Sequence, residues 1–255
     1  MYKTVNTIFL VILVILVILV LWYEYPWQVI LLFIIIFLGV TFLGSYFIQL
    51  NYFTHSFNLK KTSEKTVALT FDDGPNSLYT GQILDLLEQF NCKASFFLIG
   101  INSKNHPELV KKINENGHTI GHHSYHHNFW FDFYSRKMVI KELQDSMEEV
   151  KKIIGKNPIL FRPPYGVTNP AIASAIQFLG LYSIGWNIRT MDTVKKDKDA
   201  VLRKVKKDLK PGSVILLHDS LPESVEILKG ILLYLKKNEY RPVTVDELFN
   251  IEVYA

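Results

Sequence analysis

The chain has 255 residues, a formal charge of +4 and one cysteine. The lone Cys92 excludes an intrachain disulfide and any cysteine-rich zinc site. Its lysines are scattered over helix-like segments with no basic stripe interleaved with aromatics, which speaks against a nucleic-acid partner.

From Val5 to Leu50 the only charged residue is Glu24. The apolar run Val5–Tyr23 would be about 28 Å long as a helix, close to the hydrocarbon thickness of a bilayer. A second run covers Trp27–Leu50, and Trp22, Tyr23, Tyr25 and Trp27 crowd the connector as an interfacial aromatic belt does. A cleaved signal peptide is the alternative for the first run, but it would show a strongly basic start and a small-residue cleavage site, where this run has Lys3 alone and no such site. Residues 1–55 are therefore read as two transmembrane helices, about 5–23 and 27–50, in contact with a lipid bilayer. A hairpin dipping into one leaflet is the alternative. Residues 56–65 are read as a linker. Lys3, Lys60, Lys61 and Lys65 flank the spans on one side and favour a cytoplasmic domain, but large domains can cross regardless, so sidedness stays open.

Roughly 195 residues remain, enough for one α/β core. Strand-like runs fall at Thr66–Phe71, Ala94–Ile99, His118–Gly121, Ile159–Arg162, Tyr182–Trp186, Ser213–Leu217 and Pro242–Val245, with amphipathic stretches between them. Ile83, Leu86, Leu87 and Phe90 mark one buried helical face, and Leu143, Met147, Val150 and Ile154 another. Ser77 and Asn169 are expected to cap helices, and Gly117 and Gly180 to stop them. Seven alternations predict a parallel sheet covered by helices, and the lack of a Gly-rich dinucleotide loop favours an incomplete barrel over an open doubly wound sheet. In such folds the strand C-terminal ends carry the site. Polar groups break the runs there: Asp72-Asp73, His122-His123, Arg162, Asn187 through Asp192, and His218-Asp219.

The adjacent carboxylates Asp72 and Asp73 would repel unless a cation shares the site. The natural division is one metal ligand and one general base. The segment His118–His127 holds five of the eight histidines. The i, i+4 spacing that aims two imidazoles at one metal occurs there three times, as His118/His122, His122/His126 and His123/His127, and spacing alone does not choose. Two His and one Asp leave an open coordination position, which suits catalysis. His218 at another strand end suits a general acid.

Thr70-Phe71-Asp72-Asp73-Gly74, His123-Ser124-Tyr125-His126-His127, Arg162-Pro163-Pro164-Tyr165-Gly166 and Leu217-His218-Asp219 stand in an order that resembles the polysaccharide deacetylase (NodB-like, chitin deacetylase-like) family over nearly all of Lys61–Ala255. The resemblance implies a distorted (β/α)7 barrel over residues 66–255, with Asp73, His123 and His127 as ligands of one divalent metal. Zn2+ is expected, with Co2+ or Mn2+ also compatible with an N/O set. It further implies Asp72 as base, Arg162 orienting it, the backbone N–H of Tyr165 at the oxyanion, and His218 as acid with Asp192 as its partner. The fourth motif departs: Arg189 and Thr193 stand where the family often has Asp and Trp, which puts the acetyl pocket in doubt. His122 and His126 are expected to be supporting or surface residues. The implied reaction removes N-acetyl groups from N-acetylhexosamine units of a cell-envelope glycan such as peptidoglycan. A lipid-linked sugar deacylase and an inactive glycan-binding domain are the competing readings.

Overall fold

A computed structural model describes residues 1–194 and 197–255. The chain opens with two long helices, α1 (Tyr2–Tyr23) and α2 (Gln28–Tyr46), joined by a short connector. The strands are β1 (Ser56–Phe57), β2 (Thr66–Asp72), β3 (Ser95–Leu98), β4 (Thr119–His122), β5 (Leu160–Phe161), β6 (Tyr182–Ile184), β7 (Ile188–Arg189), β8 (Val214–His218) and β9 (Arg241–Val243). The other helices are α3 (Thr80–Gln89), α4 (Gly100–Asn105), α5 (Pro107–Glu115), α6 (Arg136–Ile154), α7 (Pro170–Leu179), α8 (Lys198–Asp208), α9 (Ser224–Lys237) and α10 (Val245–Phe249).

The strands run in the order β1-β6-β5-β4-β3-β2-β8-β7, with β9 paired to the start of β2. Every strand pairing is parallel, and among the described residues none joins β1 to β7, so the curled sheet is an incomplete barrel. All seven expected strands are present. The two that sequence did not announce, β1 and β7, are two residues long, too short for an apolar period to register.

Strand alternation divides the core into two faces. Val67, Leu69 and Phe71 of β2, Phe96 and Leu98 of β3, and Ile215 and Leu217 of β8 pack against the helices. Ala68, Phe97, Val214 and Leu216 belong to the inner cluster with Trp186. Thr70 and Asp72 share the parity of Ala68, and His218 that of Leu216. The barrel interior is therefore apolar at its floor and ionisable at its rim.

Several boundaries differ from the sequence reading. The second apolar run does not continue as one helix to Leu50. α2 ends at Tyr46, Phe47 is extended, and Ile48–Leu50 forms a 3-10 turn. Ile48 is buried in the inner cluster, while Ser45 Oγ donates to the Thr168 carbonyl (2.7 Å) and Gln49 Nε2 to that of Trp186 (3.0 Å). The segment read as a linker contributes β1 to the sheet and an isolated bridge between Leu59 and Ser213. Asn169 caps α7 through Ile172 N–H, and Gly180 ends it in the left-handed region. Ser77 is not a cap: α3 starts at Thr80, and Asn76 Oδ1 accepts from Leu78 and Tyr79 N–H instead.

Candidate active site

The register of β2 with β8 places Asp72 beside His218 at the barrel rim. Asp72, on the inner parity, meets Arg162, which leaves β5 on the same face. Arg162 Nη1 donates to Asp72 Oδ1 at 2.7 Å and to Thr70 Oγ1 at 2.8 Å, Nε to the Ile184 carbonyl at 3.1 Å, and Nη2 to the Gly185 carbonyl at 2.9 Å. The guanidinium also lies over Phe97, 4.2 Å from the ring centroid. A fully buried cation with each nitrogen engaged fixes Asp72 in one orientation.

By alternation Asp73 would point among the helices. A left-handed backbone (φ 74°) swings it into the cleft, and Asn102 Nδ2 holds its carbonyl at 2.9 Å. Gly74 lets the turn lie against Asp219, for a Cβ there would come within 2.3 Å of Asp219 Oδ2. Ser124 (φ 63°), His127 (φ 51°), Tyr165 (φ 57°) and Met191 (φ 62°) are also left-handed. Such backbone is costly for residues other than glycine and concentrates where side chains must be aimed.

Strand parity also chooses among the histidines. His122 closes β4 facing the helices, where Nδ1 meets Ser146 Oγ and Nε2 the Pro158 carbonyl, both at 3.0 Å. Burial pushes its pKa down to about 4, against the Pro158 contact, so it is a neutral packing residue. His118 is likewise buried, held down to about 4 by desolvation and Lys93. His126 points outward and pairs with Glu142 at 2.7 Å. His123 and His127 face the cleft. His123 Nδ1–H donates to the Arg162 carbonyl at 2.7 Å, which leaves the Nε2 lone pair directed at Asp73.

Asp73 Oδ1 is 3.6 Å from both His123 Nε2 and His127 Nε2. That is long for hydrogen bonds and close to the roughly 3.3 Å separating donors of a tetrahedral ion with bonds of about 2.0–2.1 Å. The three donor atoms lie within 4.8 Å of one another, and two imidazoles with one carboxylate suit a divalent borderline metal. Burial, foremost, and the neighbouring His123 lower the His127 pKa, which favours the neutral ligand form.

Across the cleft His218 Nδ1–H donates to Asp192 Oδ1 at 2.8 Å, and the His218 backbone N–H donates to Oδ2 at 2.9 Å. Burial opposes its charge, but Asp192 outweighs it and raises His218 to about 9. Burial opposes ionisation of Asp192 as well, yet hydrogen bonds from His218 and Thr190 hold it below the ordinary carboxylate range. The cleft has a volume of about 240 Å³ and includes Asp72, Asp73, His123, His127, Tyr165 and His218 in its lining. All eight expected site residues are thus brought to one barrel mouth, Arg162 and Asp192 from behind.

Sequence reasoning missed several walls. Trp186 and Leu216 line the cleft, with Arg189 stacked 5.9 Å from the Trp186 ring centroid. Thr193, which stands where the family often has Trp, lines the cleft too. Trp186 closes an apolar run, which hides it as a core residue. Asp219 was visible in the last motif but without a role. It is fully buried, receives Thr80 Oγ1–H at 2.5 Å, and burial raises it to about 7.

Residues 59–184 match the family model for polysaccharide deacetylase. The chain is 37% identical over 194 residues to a peptidoglycan-N-acetylglucosamine deacetylase of Bacillus cereus, covering 73% of this chain and 89% of the relative. The chain belongs to the polysaccharide deacetylase family. It is also 34% identical over 199 residues to the peptidoglycan-N-acetylmuramic acid deacetylase PdaA of Bacillus subtilis, covering 76% and 74% of the two chains. Among solved structures, the peptidoglycan N-acetylglucosamine deacetylase Bc1960 superposes with a TM-score of 0.72 at 33% identity, covering 77% of this chain and 93% of that one. Peptidoglycan deacetylase PdaC of Bacillus subtilis gives a TM-score of 0.69 at 32% identity, covering 73% and 91%. As a polysaccharide deacetylase the chain is a hydrolase of carbon–nitrogen amide bonds, and this family is metal-dependent.

Proposed function

We propose that this enzyme removes N-acetyl groups from N-acetylglucosamine or N-acetylmuramic acid units of peptidoglycan, using one Zn2+ held by Asp73, His123 and His127. The convergence of Asp72, Arg162 and His218 on that donor set, in a chain 37% identical to a deacetylase of this polymer, carries the reading. When bound, the ion supplies Lewis acidity to the attacking water and the acetamide carbonyl. Asp72, fixed by Arg162, takes the proton of that water. The Tyr165 backbone N–H donates to the oxyanion as the carbonyl carbon becomes tetrahedral. His218, kept protonated by Asp192, gives its proton to the departing amine, so acetate and a free amino sugar leave. Arg189 and Trp186 shape the cleft wall where the fourth motif departs from the family pattern.

The test is acetate release from N-acetylglucosamine oligomers and peptidoglycan fragments, with and without a chelator. Release that stops on chelation and returns with Zn2+, Co2+ or Mn2+ is expected. Full activity in the chelated protein would overturn the metal assignment. The two apolar helices, of 22 and 19 residues with peak mean hydropathies of 3.1 and 2.6, are read as bilayer spans. Hydrogen bonds from Ser45 at the end of the second helix to Thr168, and from Gln49 just beyond it to the cleft residue Trp186, favour a second substrate reading, an acetylated sugar still linked to lipid. Comparing lipid-linked with polymeric glycans as substrates separates the two.

A further inference from the structure

Three large aromatic side chains beside the cleft are left in the open: Phe129 is 71% exposed, Trp130 60% and Phe133 81%. They are not scattered. Trp130 touches both neighbours edge-on, with ring centroids 5.1 Å from Phe129 and 5.7 Å from Phe133. Phe129 lies 6.4 Å from Tyr165, whose ring is 4.9 Å from His127. At the other end Phe133 shares a groove of about 340 Å³ with Phe42 and Tyr46 in the last turns of α2. One aromatic row thus runs from the end of a span to a metal-ligand histidine. A soluble surface rarely exposes so contiguous an apolar patch, whereas amphipathic aromatic rings gather at the bilayer interface.

The charge around the row fits an anionic surface. Arg136 and Lys137 come three and four residues after Phe133, and Arg136 lies 5.0 Å above the ring of exposed Phe178 on α7. α7 in turn shares a groove with Tyr2 and Lys3, where α1 begins. Both hairpin ends, the aromatic row and these cations therefore lie on one side of the molecule. Basic residues at that level attract acidic headgroups.

We propose that the loop Phe129–Phe133 seats in the headgroup layer of the bilayer that α1 and α2 span, so that the catalytic mouth opens at the membrane surface. This rests on the reading of the two helices as spans, and it is tested separately from it. The sugar is then taken at headgroup height, and the loop sets that height.

The experiment uses the full-length protein in phosphatidylcholine and phosphatidylglycerol vesicles carrying spin-labelled lipids. Cys92 is buried and its thiol is pushed up by burial, so an introduced surface cysteine takes an environment-sensitive fluorophore selectively. Labels go on Phe129→Cys, Phe133→Cys, Ile15→Cys in α1, and Leu233→Cys on α9. Expected is strong quenching at 129 and 133 by lipids labelled near the headgroup, at 15 by lipids labelled deep in the acyl chain, and none at 233. Quenching at 15 with 133 no dimmer than 233 overturns the seated loop and leaves the spans standing. Absence of quenching at 15 overturns both.

Discussion

Asp72 and Asp73 are chain neighbours given different duties by geometry alone. Asp72 keeps strand parity and meets Arg162; Asp73 turns left-handed and meets His123 and His127. Asp72→Asn is expected to keep metal stoichiometry and lose acetate release by about 10²–10⁴-fold, the ordinary scale of a general base. Asp73→Asn is expected to lose the metal as well. Elemental analysis beside an acetate assay reads both, and equal release by wild type and Asp72→Asn would sink the base assignment. His218 carries a pH prediction. Asp192 raises its folded pKa to about 9 from 6.5, so the protonated pair stabilises the fold fully below pH 6.5 and that contribution is lost as pH rises through about 9. The protonated form that the proposed general-acid role requires is lost over the same limb. Asp192→Asn removes the charge that holds the proton, so the alkaline limb of the rate profile should move toward neutral pH. An unmoved limb would detach Asp192 from His218.

Among the elements, the loops after β4 and β5 do most of the aiming. Gly166 follows the left-handed Tyr165 and is itself at φ 75°, and a Cβ there would come within 2.3 Å of the Trp186 ring. Gly166→Ala should therefore displace Trp186 and weaken substrate binding more than it alters metal content, which titration calorimetry with a chitin oligomer would show. Asn169 closes the same stretch by capping α7, and its Nδ2 also donates to the Asp132 carbonyl at 2.7 Å. Asn169→Ala should cost about 1 kcal/mol, the usual loss for a helix N-cap, measured as a lower denaturant midpoint with an unchanged slope.

Considered as a whole molecule, the enzyme has no clean seam between its apolar hairpin and its barrel. Ile48 and Tyr52 are buried, and β1 adds to the sheet beyond them. Full burial of one large apolar side chain is worth about 1.5–3 kcal/mol. A soluble piece beginning at Phe47 should therefore melt well above one beginning at Lys61, although both contain every residue of the proposed site. Thermal unfolding followed by circular dichroism decides it, and equal melting temperatures would show that Ile48, Tyr52 and β1 add nothing to the domain.

How much was legible from sequence follows from range. Seven strands, the helices between them and the polar groups at strand ends are local patterns of apolar period and turn chemistry, and one chain shows them directly. That His123 and His127 are the histidines facing the cleft was within reach by resemblance, and by alternation once the phase of β4 is known from its packing. What the linear text does not hold is set by contacts between distant segments. Left-handed backbone at Asp73 and Tyr165 persists because the surroundings impose it. Trp186 becomes a cleft wall because β6 ends beside β5, and Ile48 becomes core because Ser45 and Gln49, on either side of it, bond to Thr168 and Trp186. The sequence by itself determined the family and its reaction class, amide-bond hydrolysis, since the four ordered motifs are short local stretches that one chain displays in full. Only the tertiary structure decided the aim of those residues, the walls of the cleft and the seat of the hairpin, because each depends on packing between segments far apart in the chain.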